Sequence, residues 1–143
     1  MHMHQYADQP CACTTLRKAS RAVTRFYDER IAAHGLTITQ FAILRNLARE
    51  GDLQLNRLAD LLEMDRTSLY RTIAPVERSG WVSIEAVSGR AKAAQLTDAG
   101  RNVMRQAEAD WAGAQDDLLG AIGADAWTAL RGTLGRLTEG ARV

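Results

Sequence analysis

The sequence predicts a mainly α-helical fold with one small β-hairpin, and three observations lead to this prediction. Apolar residues recur at helical spacing in most segments, as do Leu69, Ile73 and Val76. One segment, residues 82–87, alternates as a strand does, and a turn at residues 88–90 leads to a weaker returning strand. The 143 residues include 46% hydrophobic and 24% charged side chains, which is sufficient for one domain with a real core.

Two helices are predicted in the N-terminal part of the chain. The first should run from about residue 11 to residue 33, because its apolar residues keep a three-four spacing and Gly35 follows as a stop signal. Its stripe consists of Leu16, Ala19, Val23 and Phe26. The second helix should begin near Thr39, and the residues that it directs inward are Phe41, Leu44 and Leu47.

Residues 58–73 are predicted to form two short helices separated by a turn. Asp65 suits the N-cap of the second helix, because its carboxylate can accept from the free N–H groups of the first turn. The face opposite the apolar stripe carries hydroxyl, phenol and guanidinium groups, which suit the acceptor-rich base edges and phosphates of DNA. The candidate DNA contacts on this helix are Arg66, Thr67, Ser68, Tyr70, Arg71, Thr72 and Arg78. Pro75 should kink or loosen the helix, so base reading should depend on the residues before it.

The hairpin adds two candidate DNA contacts, Arg90 and Lys92, at or near its tip. A hairpin beside a recognition helix can lay a cation along the neighbouring minor groove, where a narrow A·T tract concentrates negative potential. Helix and hairpin together predict a winged helix-turn-helix module in residues 37–97 that binds double-stranded DNA. Residues 65–92 hold five Lys or Arg against three Asp or Glu, whereas residues 98–143 hold five against seven, so positive charge is concentrated in this module.

Two further apolar stripes are predicted on helices near the C-terminus. The first consists of Val103, Ala107, Trp111, Ala114 and Leu118. The second, with heptad spacing, consists of Trp127, Leu130, Leu134, Leu137 and Ala141. Because a small winged module offers little area to bury both, we expect a homodimer whose dimerisation helices come from both termini, in residues 11–36 and 98–143, after a flexible tail in residues 1–10. The alternative is that both stripes fold back on the module as the core of a monomer.

Five segments of the chain resemble the MarR family of winged-helix transcriptional regulators. They are LTITQF at residues 36–41, LADLL at 58–62, DRTSL at 65–69, ERSGWV at 77–82 and LTDAG at 96–100. In this order and spacing they are fairly specific, and the resemblance covers about residues 11–140. It implies a homodimeric, sequence-specific repressor, released from its operator by a small ligand or by oxidation. The sequence departs from the family at Ser88, where an Asp commonly braces the arginine of the wing.

Cys11 and Cys13 are predicted in the first turn of the first helix, where the helix dipole favours the thiolate. Residues i and i+2 of a helix point in different directions, so the two thiols should not bridge each other. A subgroup of the family senses organic hydroperoxides through a cysteine on this helix, and the resemblance places Cys13 at that cysteine and Tyr27 at a tyrosine that helps to hold it. Redox sensing by Cys13 is one hypothesis, and burial of the thiols as small apolar groups at the dimer apex is the other.

The resemblance also implies a cleft for small aromatic anions or phenols between the dimer frame and the DNA-binding module. The candidates to line it are Arg25, Tyr27, Phe41 and Trp111. Aromatic residues at helical spacing are, however, more often part of a core than of a pocket.

Other functional classes have weaker support in the sequence. His2 and His4 could join Cys11 and Cys13 in a metal-responsive site for copper(I) or zinc, but the spacing matches no well-defined site, so no metal or cofactor is assigned. A helical protein-interaction domain without specific DNA binding is a further alternative. The chain has no catalytic triad, phosphate loop or HExxH pattern, which argues against an enzyme. Without a run of about 18 apolar residues or a signal-peptide pattern, we expect a cytoplasmic protein and no membrane association.

Overall fold

The computed structural model describes residues 4–142 and confirms the mainly α-helical fold with a small β wing. Within that range the helices are α1 (Ala12–Ile31), α2 (Ile38–Glu50), α3 (Leu55–Leu61), α4 (Arg66–Arg78), α5 (Asp98–Ile122) and α6 (Ala124–Ala141). A short 3-10 turn, Ala32–His34, follows α1. The strands are β1 (Leu53–Gln54), β2 (Val82–Ser88) and β3 (Ala91–Leu96).

Local signals set the beginning and end of the first two helices. Gly35 takes a left-handed conformation with φ of 75° and ends the 3-10 turn, as its position in the sequence predicts. Thr37 caps α2: its Oγ1 accepts from the N–H of Gln40 at 3.2 Å, and its own N–H donates to Gln40 Oε1 at 3.1 Å. The helix therefore starts one residue earlier than predicted, at Ile38. The three inward residues of α2 that the sequence predicts, Phe41, Leu44 and Leu47, are buried.

The helix-turn-helix consists of α3 and α4, and both pack on the same core. Leu69, Ile73 and Val76 of α4 are at most 1% exposed, which confirms the predicted stripe. Pro75 does not end α4, which continues to Arg78, and the carbonyl oxygen of Pro75 accepts from the N–H of Ser79 at 3.0 Å.

The sheet contains the predicted hairpin and one further strand that was not predicted from the sequence. Strands β2 and β3 pair antiparallel, with Ile84 opposite Ala94 and an irregularity between Ala86 and Ser88. The order is β1-β3-β2, because Leu53 of β1 pairs with Ala94 on the other side of β3. Strand β1 has only two residues, too few for an alternating pattern, and it exists because it pairs with the edge of β3.

The helices α1, α5 and α6 lie together as a frame beside the winged module. Polar contacts join α1 and the following 3-10 turn to α5. From α1, Tyr27 contacts Gln115 and Arg30 contacts Asp117, and from the turn His34 contacts Asp110. Helix α5 also buries Met104, Ala107 and Ala114. By contrast, α6 buries no residue between Ala124 and Ala141. No helix within residues 4–142 is both long enough and apolar enough to cross a membrane.

Candidate nucleic-acid interface

The first turn of α4 is held by Asp65. Its Oδ1 accepts from the N–H of Ser68 at 2.8 Å, and its Oδ2 accepts from the hydroxyl of Ser68 at 2.9 Å. These hydrogen bonds, with a smaller contribution from the charge of Arg71, hold the pKa of the Asp65 carboxyl below its ordinary value. The carboxylate therefore stays ionised and keeps the exposed residues Arg66 and Thr67 in place at the start of the helix.

The outer face of α4 contains most of the predicted DNA contacts. Arg66, Thr67, Tyr70 and Arg71 are exposed, and Tyr70 as a whole residue is 46% exposed. Ser68 and Thr72 are half-buried, and their hydroxyl hydrogens are used within the helix. The hydroxyl of Ser68 donates to the carboxylate of Asp65. The hydroxyl of Thr72 donates to the carbonyl oxygen of Ser68 at 2.8 Å. In this arrangement these two hydroxyls can accept from a base but do not donate to one.

A groove of about 230 Å³ lies between α4 and the hairpin. It brings Arg66 and Tyr70 next to Arg90 and Lys92, although the two pairs are about twenty residues apart in the sequence. The complete lining is Gln54, Leu55, Asn56, Arg66, Tyr70, Arg90, Ala91 and Lys92. It contains three cations and no carboxylate, so its electrostatic potential favours an anion.

Gln54 and Asn56 also belong to this surface and were not predicted from the sequence. They lie at the junction of β1 and α3, which enters the groove because Gln54 pairs with Ala93 of β3. A two-residue strand carries almost no sequence signal, so this neighbourhood could not be predicted. Arg78 is the predicted contact farthest from the groove, about 18 Å from Arg66 along the axis of α4.

The opposite face of the sheet has a different charge. Asp52 and Glu85 line a cleft of about 380 Å³ there, together with Gln95, whose Nε2 donates to Asp52 Oδ2 at 2.7 Å. A DNA backbone would be repelled from this acidic face. It would be attracted to the opposite face of the wing, where Lys92 lies next to Arg66 of α4. The positive potential of the wing is therefore concentrated on the side that faces α4.

The two cysteines are exposed and form no disulfide in the described chain. Cys11 is the N-cap residue of α1, and although its thiol makes no capping hydrogen bond, the backbone N–H and the hydroxyl of Thr14 lower its pKa. Cys13 lies in the first turn of the same helix. Tyr27 lies fourteen positions further along α1, about 21 Å away, so one protomer does not bring Cys13 and Tyr27 together. Burial raises the pKa of Tyr27, and its hydroxyl donates to Gln115 of α5.

Two of the four candidate ligand residues, Phe41 and Trp111, pack against each other. Phe41 is only 1% exposed, and the centroid of its ring lies 6.0 Å from that of Trp111. The guanidinium of Arg45 covers the Trp111 ring at 4.1 Å from its centroid. Arg25 is exposed on α1. Arg45 was not a candidate from the sequence, although it follows Phe41 by four residues and so shares its face of α2.

No group of three or more His, Cys, Asp or Glu side chains in residues 4–142 is arranged to hold a metal ion. His2, one of the residues considered for a metal site, lies outside the described residues.

Comparison with known proteins assigns this architecture to a family. The profile of the MarR family matches residues 34–93, from the end of the 3-10 turn after α1 into β3. The chain is similar to the transcriptional regulator MosR of M. tuberculosis, with 31% identity over 95% of this chain and 98% of that one and a TM-score of 0.83. A structure of MosR in complex with DNA is similar at 30% identity over 94% of this chain and 100% of that one, with a TM-score of 0.81.

A third similar structure is Sco5413, a MarR family transcriptional regulator from Streptomyces coelicolor. It is 28% identical over 91% of this chain and 92% of that one, with a TM-score of 0.78. No curated protein sequence matches the chain significantly.

The family match, the full-length similarity to a regulator solved with DNA and the cationic face of α4 agree with one another. They identify a DNA-binding transcriptional regulator and not an enzyme. The chain belongs to the MarR family of winged-helix transcriptional regulators.

Proposed function

We propose that the protein acts as a homodimeric repressor that binds a pseudo-palindromic operator. The observation that carries this proposal is the set of apolar residues left exposed on α1 and α6. Leu16 and Val23 of α1 are 37% and 39% exposed, and Leu130 and Leu137 of α6 are 43% and 42% exposed. Exposed leucines at heptad spacing on a helix with no buried residue need a second apolar surface.

A second copy of the chain is the occupant that we assign to this surface. Neither stripe includes a residue of α4 or of the hairpin, so a twofold axis along these stripes would leave both α4 helices free to bind DNA. Two symmetry-related recognition helices enter successive major grooves on one side of a duplex, which requires half-sites about one helical turn apart. A dimer whose operator overlaps a promoter competes with RNA polymerase for that DNA, and the resemblance to the family implies this role of repressor.

The oligomeric state and the footprint test this proposal. Sedimentation should show a dimer at micromolar concentration, and footprinting should show two protected half-sites related by a dyad. Leu137→Glu, which puts a charge into the α6 stripe, should dissociate the dimer and weaken operator binding. Val87→Glu is the control for the sedimentation measurement alone, because Val87 is 55% exposed and lies on the wing, outside both stripes, so its charge should leave the dimer intact. A monomeric parent protein, or a single isolated half-site, would refute the assignment.

We further propose that oxidation of Cys13 in the frame releases the dimer from its operator. A hydroperoxide oxidises a cysteine thiolate to a sulfenic acid and leaves as the alcohol. Cys13 is exposed at the start of α1, which belongs to the frame that would set the spacing of the two α4 helices. Cys11 is the competing site of oxidation, because its thiolate is favoured by Thr14. Contact between Cys13 and Tyr27 would require the Tyr27 of a second copy.

A small phenol or aromatic acid is the second candidate for the releasing signal. Arg45 is a half-buried cation held over Trp111 and beside Phe41, with its guanidinium 5.8 Å from the centroid of the Phe41 ring. An aromatic anion that entered here would compete with these rings for the guanidinium and would separate α2 from α5. Release of DNA by such a compound in protein that lacks both cysteines would favour this signal over oxidation.

A further inference from the structure

The groove between α4 and the hairpin differs in charge from two other clefts on the described molecule. The cleft of about 710 Å³ beside the α3–α4 turn is lined by Asp60, Glu63 and Asp65 as well as by arginines. The cleft on the outer face of the sheet contains Asp52 and Glu85. The groove beside α4 instead combines cations and side-chain amides without a carboxylate, which is the set of groups that binds a phosphate.

Three elements hold its donors in place. Lys92 lies on the same face of β3 as the buried Ala94, so it is directed toward the helices and not toward the outer face. Arg66 is the first residue of α4 and follows the Asp65 cap. Asn56 lies at the start of α3, where the pairing of β1 with β3 brings it beside the hairpin.

One carboxylate lies near this set of residues. A neighbouring cavity of about 210 Å³ is lined by Glu77, and it shares Tyr70 and Lys92 with the groove. Glu77 does not line the groove itself, whose charged residues are Arg66, Arg90 and Lys92. The groove thus keeps a net positive charge after this neighbour is considered.

We propose that this groove binds one phosphate of the DNA backbone in each half-site. Arg66 and Lys92 neutralise the phosphate, and the amide of Asn56 donates a hydrogen bond to it. The proposal rests on DNA binding by α4. Because the phosphate is held between α4 and the wing, it sets the depth and register of α4 in the major groove, so that Thr67 and Arg71 meet defined bases.

The test combines protein variants that carry one substitution with operator duplexes in which one phosphate has been made neutral. Operator duplexes that carry one methylphosphonate at a time are titrated with the parent protein and with Arg66→Gln, Lys92→Gln and Asn56→Ala. In the parent, one position per half-site should cost about tenfold in affinity, the loss expected for hydrogen bonds to a charged group. Each of the three variants should be less sensitive than the parent at that same position, because one of the three contacts to the phosphate is already missing. Arg66→Gln and Lys92→Gln should also reduce the slope of log affinity against log salt by about 0.9 for each phosphate lost.

Two controls separate the groove from general charge effects. Asn56→Asp should weaken binding more than Asn56→Ala, because it places a carboxylate beside the phosphate, whereas Asn102→Asp on the exposed surface of α5 should have little effect. Arg131→Gln removes one positive charge from α6 and should leave the pattern of sensitive phosphates unchanged. If the variants lose sensitivity at different phosphates, or stay as sensitive as the parent, the groove does not bind a shared phosphate. If the parent itself fails to prefer its operator, the proposed function fails instead.

Discussion

At the scale of single residues, Arg71 and Arg90 carry the same guanidinium group on different supports. Arg71 projects from the middle of α4, whose inner face is fixed by the buried Leu69 and Ile73. Arg90 lies in the turn between β2 and β3, next to the irregular pairing at Ser88. A side chain on a packed helix keeps a defined direction, whereas one on a hairpin turn adapts to the backbone that it meets.

We therefore expect the two arginines to affect DNA binding differently. If Arg71 meets a guanine, Arg71→Ala should cost about 1–3 kcal/mol and relax the choice of base at one position in each half-site. Arg90→Ala should weaken binding to all sequences with a smaller change in preference, because a backbone contact carries no base information. Binding measured on operators with each base pair varied checks both results. Affinities equal to that of the parent in both variants would contradict this docking of α4.

At the scale of secondary-structure elements, the junction between the wing and α5 depends on a close approach of two backbones. Thr97 caps α5: its Oγ1 accepts from the N–H of Gly100 at 3.0 Å and donates to the carbonyl oxygen of Gly80 at 2.6 Å. The N–H of Thr97 donates to the carbonyl oxygen of Trp81 at 3.1 Å. A Cβ at position 100 would collide with that same carbonyl oxygen. The glycine is therefore required by packing between elements and not by its own dihedral angles.

Gly100→Ala should lower the free energy of unfolding by about 1–3 kcal/mol, because a backbone carbonyl cannot yield as a side chain can. Gly113→Ala is the matched control in the same helix, where no atom would meet the new Cβ. Helix propensity alone should make that control more stable by as much as about 1 kcal/mol. Denaturant unfolding of both variants checks the prediction. Equal stabilisation by the two alanines would show that the junction between the wing and α5 is not tightly packed.

At the scale of the whole molecule, the frame would convert a change at its N-terminus into a change at the DNA. The helix α1 contacts α5, and α5 continues directly from the wing through the Thr97 cap. A displacement of α1 can therefore reach both DNA-binding modules of a dimer. A tenfold change in affinity needs only about 1.4 kcal/mol of differential stability between two forms of the dimer.

Oxidation of Cys13 should weaken operator binding through the contact of α1 with α5. Treatment with stoichiometric cumene hydroperoxide should release the parent protein from its operator, and a thiol should restore binding. Cys13→Ser should stay bound after treatment, because the trigger is missing, whereas Cys11→Ser should still be released. Release that persists in Cys13→Ser but not in Cys11→Ser would move the trigger to Cys11. No release of the parent would leave an aromatic ligand as the signal.

Local chemistry in the sequence was sufficient to predict α4 and the hairpin of this protein, although not β1. The Asp65 cap, the stripe at Leu69 and Ile73 and the turn after Ser88 each depend on residues within a few positions of one another. Capping, helical periodicity and strand alternation act over that range, so α4 and the hairpin follow from the sequence alone. The resemblance to the MarR family then predicted that a protein with these elements regulates transcription.

Only the tertiary structure decided which of these residues share a site. It placed Asn56 of α3 beside Lys92 of β3, because β1, a strand too short to show an alternating pattern, pairs with β3. It also placed Arg45 of α2 over Trp111 of α5. The physical reason is that local preferences determine which elements form, whereas the meeting of remote side chains depends on how those elements pack around the common core.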